Sequence, residues 1–146
     1  MMKISNVMTR SPALLGEEAT VLDAAKKMKS VGCGILPVGN DNKHIKGVVS
    51  DRDIVIRAIA KNKELSEIPI TEIMSKEVVF CEEEDFVRHA IYQMCKHNVR
   101  RVLIKDKTQA LTGILSLGDI LRRVEDKTVL GELFSEATPD EKASAA

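Results

Sequence analysis

The sequence predicts an α+β, sandwich-like fold in which two tandem β-α-β-β-α units pack sheet to sheet as one module. Three observations carry that prediction. Residues 7–60 lie over 73–126 at a constant offset of 66 without a gap, which is the mark of a duplicated supersecondary unit. Each copy passes from a helical apolar stripe into two short apolar runs joined by a polar turn. Neither copy holds enough apolar surface for an independent core, whereas two packed sheets do.

The identities in the overlay are scattered but regular. Met8 falls on Met74, Glu17-Glu18 on Glu83-Glu84, Val21 on Val87, Ala24 on Ala90 and Met28 on Met94. Further on, Gly47, Ser50, Asp53, Ile54 and Arg57 meet Gly113, Ser116, Asp119, Ile120 and Arg123.

In chain order, the first copy occupies 1–60 and begins with a short entry strand. The acids Glu17-Glu18 stand before "TVLDAAKKMKSV", whose Val21, Ala24, Ala25 and Met28 fall on one helical face. Acids at a helix start are favoured by the macrodipole, which accounts for them without a metal. "CGILPV" (33–38), the turn "GNDNK" and "IKGVVS" read as a β-hairpin, and "DRDIVIRAIA" as a second helix. Residues 61–72, "KNKELSEIPITE", are polar and contain Pro69, as a linker would. The second copy, 73–127, repeats the order: Glu82 to Asp85, the stripe Val87, Ala90, Ile91 and Met94, the hairpin of "VLI" and "LTGILS", then "LGDILRRVED". Residues 128–146 are expected to form a short helix and a disordered tail, small and charged from about residue 135.

Bulk composition narrows the function. Lys plus Arg and Asp plus Glu are 22 each, so no net field draws the chain to nucleic acid or acidic membranes, and any phosphate site must be local. The N-terminal stretch lacks the apolar run of a signal peptide, and no segment reaches membrane-spanning length. Three cysteines, Cys33, Cys81 and Cys95, with no C-x-x-C spacing suggest reduced thiols and a cytoplasmic location.

The repeated G-x-x-S-x-x-D has two readings. Ser and an acid three residues later, entering a helix, form a capping box. That leaves the strand glycine unexplained, since glycine weakens a strand and often marks a close approach to the backbone. The second reading puts a ligand at the helix N-terminus. There an ionised Asp, which only accepts hydrogen bonds, would suit a pair of sugar hydroxyls. The arginines Arg52 and Arg100-Arg101 would hold phosphate oxygens by forked contacts. Acid for ribose and arginine for phosphate together describe a nucleotide.

At these residues the chain resembles a known family. "VMTRSPALLGEEATVLDAAKKMKSVGCGILPVGNDNKHIKGVVSDRDIVIRA" is similar to a cystathionine-β-synthase-type (CBS) domain. The second copy, from "IMSKEVVF" to "GILSLGDILRR", is similar to its partner. The resemblance spans residues 3 to about 127 and implies a tandem pair forming a Bateman module. It also implies a homodimer and regulatory binding of an adenine nucleotide or S-adenosylmethionine, with no obligatory cofactor.

Carried over by residue, the resemblance puts the ribose acid on Asp53 and Asp119 and the sugar- or phosphate-contacting hydroxyl on Ser50 and Ser116. One site would combine Val49, Ser50, Arg52 and Asp53 with Lys76, Val78, Val79, Arg100 and Arg101. The other would combine Leu115, Ser116 and Asp119 with Arg10, Ala13, Leu14, Gly34 and Ile35. The copies depart from each other here. Pro37 has no counterpart at Leu103, Gly34-Ile35 becomes Arg100-Arg101, and Asp51-Arg52 becomes Leu117-Gly118. The site around Asp53 is therefore richer in cations, and the one around Asp119 is expected to be weak, empty or independent of phosphate.

Catalysis is not expected. His44 falls in a hairpin turn, and His89 and His97 with Cys95 between them match no recognised zinc spacing, so no metal site is expected. Neither serine has a base nearby in sequence, and no phosphate-loop or dinucleotide glycine motif occurs. The length leaves little room for a separate catalytic domain. Two other classes stay open: a redox-responsive interaction module using Cys33, Cys81 and Cys95, with vestigial nucleotide sites, and a nucleic-acid binder. Four aromatic side chains (Phe80, Phe86, Tyr92, Phe134) are too few for a stacking platform, which disfavours the latter. The regulated partner is expected to be another protein.

Overall fold

The computed structural model describes residues 2–137, so most of the expected tail lies outside the described residues. The chain runs β1 (Thr9–Arg10), α1 (Val21–Val31), β2 (Ile35–Gly39), β3 (Ile45–Ser50) and α2 (Asp51–Asp53), which continues as a π-helical turn over Ile54–Ala58. Then come β4 (Phe80–Glu82), α3 (Val87–His97), β5 (Arg101–Lys105), β6 (Leu111–Ser116), α4 (Leu117–Arg123) and α5 (Lys127–Ala137). The α+β class is observed.

The compact units are not the same segments as the sequence copies. A central unit spans Pro12–Val78, and a flanking unit combines the chain up to Ser11 with the chain from Val79 onward. Each copy's entry segment therefore belongs to the other copy's unit.

In the flanking unit a four-stranded sheet has the order β1-β6-β5-β4. β1 and β5 are antiparallel to β6, and β4 is parallel to β5. Its core joins Ile4, Val7 and Met8 of the entry segment to Ala90, Ile91, Ile104, Leu115 and Ile120. The central unit keeps the same plan with shorter edges. Its sheet is the β2–β3 hairpin, and the edge pairings shrink to single bridges, Leu15 with Val38 and Val48 with Ser75. At the 66-residue offset these are the pairs Cys81–Ile104 and Ile114–Thr9 of the other unit.

Local chemistry sets the helix ends. Thr20 caps α1 by accepting from the Asp23 N–H at 3.2 Å, while the Asp23 carboxylate accepts from the Thr20 N–H at 2.9 Å. Those bonds lower the Asp23 pKa, the backbone bond most. The helix stops at Gly32 (φ 75°), and α3 stops at Asn98 (φ 53°), both residues that tolerate left-handed backbone. Stripe residues Val21, Ala24 and Met28 are buried, as are Val87, Ala90, Ile91 and Met94.

The segment 61–72 does more than connect. Ile68 and Ile70 are buried, Val21 donates to the Ile68 carbonyl, and Ile70 donates to the Ala19 carbonyl. Its polar average concealed an I-P-I stretch that closes the central core.

Candidate functional site

Both S-x-x-D sequences are capping boxes. Ser50 Oγ accepts from the Asp53 N–H at 3.1 Å, and Asp53 Oδ2 accepts from the Ser50 N–H at 2.9 Å. In the flanking unit the same two bonds join Ser116 and Asp119 at 3.0 Å each. Ile35 lies opposite Ser50 and Arg101 opposite Ser116 in the hairpin registers, so the residues that differ between copies stand beside equivalent boxes.

The strand glycines answer to the protein itself. A Cβ on Gly47 would sit 2.6 Å from Met74 Sδ and 2.8 Å from the Ser75 carbonyl oxygen. A Cβ on Gly113 would sit 2.6 Å from Met8 Sδ and 3.0 Å from the Thr9 carbonyl oxygen. The close approach read from the sequence is real, and what approaches is the exchanged entry segment. The repeated arginine completes the arrangement. Arg57 donates to the Ile73 carbonyl at 3.1 Å, and Arg123 donates to the Val7 carbonyl at 2.7 Å. Sequence reasoning aligned these two arginines without seeing that each clamps an entry segment.

The two acids differ in what their outer oxygen meets. Asp119 is buried, and its Oδ1 accepts from Arg122 at 2.9 Å and lies 3.9 Å from Arg123 Nη2. At Asp53 the nearest cation is Arg57 Nε at 3.8 Å from Oδ1, beyond hydrogen-bond length. The Asp53 side chain is 16% exposed and that of Asp119 is 8% exposed. The outer oxygen of Asp119 is thus hydrogen-bonded by Arg122, whereas that of Asp53, among the described residues, makes only the longer ion pair with Arg57. Arg122 went unnoticed in the sequence because it aligns with Ile56 of the first copy.

The remaining expected site residues are divided between the units. Ala13, Leu14, Gly34, Ile35, Val49, Arg52, Lys76 and Val78 belong to the central unit. Arg10, Val79, Arg100, Arg101 and Leu115 belong to the flanking one. Val49 and Leu115 are fully buried in the two cores, so only their main chain can face a ligand. Arg52 and Arg100 are exposed and Arg101 half-buried, and among the described residues none of these three guanidinium groups is paired with an acid. Arg10 instead faces Glu83 at 3.6 Å and donates to the Ser5 carbonyl.

The thiols are all free. Burial, with the charge of Asp85 adding to it, pushes the Cys81 thiol up to about 12. A thiol held protonated is a poor redox sensor.

A capping box at each strand-to-helix junction, duplicated with exchanged entry segments, defines a tandem-repeat module built from two copies of one α+β unit. The CBS domain family model matches residues 4–59 and 70–126, and the chain belongs to that family as a tandem pair. It is similar to a CBS domain protein from Pyrobaculum aerophilum complexed with AMP, at 29% identity over 92% of this chain and 99% of that one, with a TM-score of 0.77. The CBS domain pair of protein MJ0100, in complex with 5′-methylthioadenosine and S-adenosyl-L-methionine, is 26% identical over 83% of this chain and 98% of that one, with a TM-score of 0.74. Hypoxic Response Protein I, solved with two coordinated zinc ions, is 27% identical over 85% of this chain and all (100%) of that one, with a TM-score of 0.73. Among the described residues, no helix is long and apolar enough to cross a membrane.

Proposed function

We propose that this protein is a regulatory module that binds an adenosine ligand (AMP, ADP, ATP or S-adenosylmethionine), has no catalytic activity, and signals its occupancy to a partner protein. It acts as a cytoplasmic homodimer. The observation that carries the reading is the state of Asp53: one carboxylate oxygen is fixed by the Ser50 N–H, and the other, beside a helix start, accepts no hydrogen bond among the described residues and meets only Arg57 at 3.8 Å. That oxygen accepts from a ribose hydroxyl. Arg52, exposed one residue before Asp53 and paired with no acid among the described residues, supplies a phosphate contact, and the acid of the second copy, engaged by Arg122, reads ligand weakly. The ligands held by the similar proteins from Pyrobaculum aerophilum and of MJ0100 support an adenosine compound. Regulation follows if the ligand favours one arrangement of the protein over another, which a partner then reads.

Exposed apolar side chains support self-association. Val55, Ile56 and Ile59 are each more than half exposed just after the first box, and Leu121 holds the place of Val55 in the second copy. Sedimentation of wild type against Val55→Glu is expected to show a dimer converted to monomer; equal profiles would remove the dimer from this reading.

The deciding experiment is thermal unfolding with ATP, ADP, AMP, S-adenosylmethionine and GTP. At about 100 times its Kd a ligand adds about 2.7 kcal/mol, a shift of several degrees. An adenosine-specific shift is expected in wild type and in Asp119→Ala, and its loss in Asp53→Ala. No shift with any adenosine compound would return both boxes to helix capping alone.

A further inference from the structure

The second copy carries a group of side chains that the repeat does not require. Cys81 on β4, Asp85 in the turn after it and His89 in the first turn of α3 bring one ligand atom each to within 4.8 Å of one another. Cys81 lies at the bottom and is buried, while the Asp85 and His89 side chains are 35% and 47% exposed above it. His89 Nε2 stands 3.9 Å from Asp85 Oδ2. Asp85 is already oriented, since the Glu82 N–H donates to its Oδ2 at 2.8 Å, the outer-shell contact that fixes a ligating carboxylate.

The sister copy serves as an internal control. At the 66-residue offset the equivalent residues are Leu15, Ala19 and Asp23. Leu15 is buried and bridges Val38 in the register that Cys81 keeps with Ile104, so the fold asks only for an apolar side chain there. Asp23 belongs to the α1 capping box with Thr20, whereas at α3 the cap is Phe86, which makes no side-chain cap bond. The second copy has thus exchanged a core leucine, a neutral alanine and a helix cap for a thiol, a carboxylate and an imidazole. Asp85 gains the turn bond from the Glu82 N–H, but neither the thiol nor the imidazole improves packing or capping. All three are donors for one kind of ion.

We propose that Cys81, Asp85 and His89 form a three-ligand site for Zn²⁺, with a fourth position open to water. Sulfur, nitrogen and oxygen donors together suit this borderline-soft ion, and hard cations such as Mg²⁺ and Ca²⁺ take oxygen alone. Tetrahedral zinc bonds of about 2.0 to 2.3 Å place ligand atoms about 3.3 to 3.7 Å apart. Closure by at most about 1 to 1.5 Å therefore suffices, within reach of small rotations of the partly exposed Asp85 and His89 side chains. The ion would tie β4 to the start of α3, where no capping side chain does so. The spacing C-x-x-x-D-x-x-x-H escaped sequence reasoning, which paired His89 with Cys95 and His97 on the helix.

The test uses the full-length, metal-stripped protein. Zn²⁺ is titrated in competition with a chromophoric chelator, and Co²⁺ is added as a spectroscopic substitute. One Zn²⁺ per chain is expected, with a near-ultraviolet sulfur-to-cobalt charge-transfer band for Co²⁺. Affinity should fall at least about 10-fold in His89→Ala and in Asp85→Asn, both exposed enough to leave the fold intact. Cys33→Ser and Cys95→Ser should retain wild-type affinity. The proposal is overturned if wild type takes up no stoichiometric Zn²⁺, if His89→Ala binds as tightly as wild type, or if Co²⁺ binds without the charge-transfer band. Should Cys81→Ser fail to fold, the band and His89→Ala still decide.

Discussion

Gly47 and Gly113 show what one side chain more would do. At either site a Cβ would press on a methionine sulfur, which can move, and on a backbone carbonyl, which cannot without shifting the entry segment. Gly47→Ala and Gly113→Ala are each expected to destabilise by about 1–3 kcal/mol, the range for overpacking a filled core. Urea unfolding measures this, and equal stability of wild type and variants would mean the entry segments do not pack there. The glycines were legible in the sequence as points of close approach, because glycine in a strand has few other uses. The approaching group was not legible. Met8 and Met74 come early in their copies, and no local pattern tells which hairpin each one meets. Arg122 was hidden for a different reason: it stands three residues after Asp119 where the first copy has Ile56, so the overlay of copies did not mark it.

At the scale of elements, the hairpins and helices followed from periodicity, and their ends followed from capping chemistry. The contrast between α1 and α3 turns that chemistry into a prediction. Thr20→Ala removes one member of a complete box and is expected to destabilise by about 1 kcal/mol. Asp23 is the other member, and its pKa is lowered in the folded protein by the Thr20 backbone bond first. A depressed carboxylate pKa means that the folded state holds the proton less tightly than the unfolded chain. The Asp23 contribution is therefore complete above the unfolded pKa of about 3.9 and disappears as pH falls through the lower folded value. Denaturation of wild type and Asp23→Asn at a series of pH values should give curves that separate above pH ~4 and converge below it. A constant difference down to acid pH would mean that the charge of Asp23 is not what stabilises the helix start. Phe86→Ala should show no such pH dependence, since α3 has no side-chain cap to lose.

For the whole molecule, the exchange of entry segments reverses a natural expectation about truncation. From the order of the copies, deleting residues 2–11 trims the start of the first copy and should weaken that copy. The fold assigns the loss elsewhere. Ile4, Val7 and Met8 are 0%, 1% and 6% exposed in the core they share with Ile91, Leu115 and Ile120, and β1 is an edge strand of the β4–β6 sheet. Removing even one large buried aliphatic side chain typically destabilises by about 2–5 kcal/mol, a large part of a small domain's total stability of about 5–15 kcal/mol. Arg123 also loses the Val7 carbonyl that it now holds at 2.7 Å. Amide hydrogen exchange on the truncated chain should therefore lose protection first in β5, β6 and α3, although these lie about 76 residues or more beyond the cut. The β2–β3 hairpin and α1, much closer in sequence, are expected to lose it later, because Leu15, Leu36 and Val49 keep their own core. Protection lost first in β2, β3 and α1 would mean that the entry segments stay with their own copies in solution, and the account of both strand glycines and both clamping arginines would fall with it.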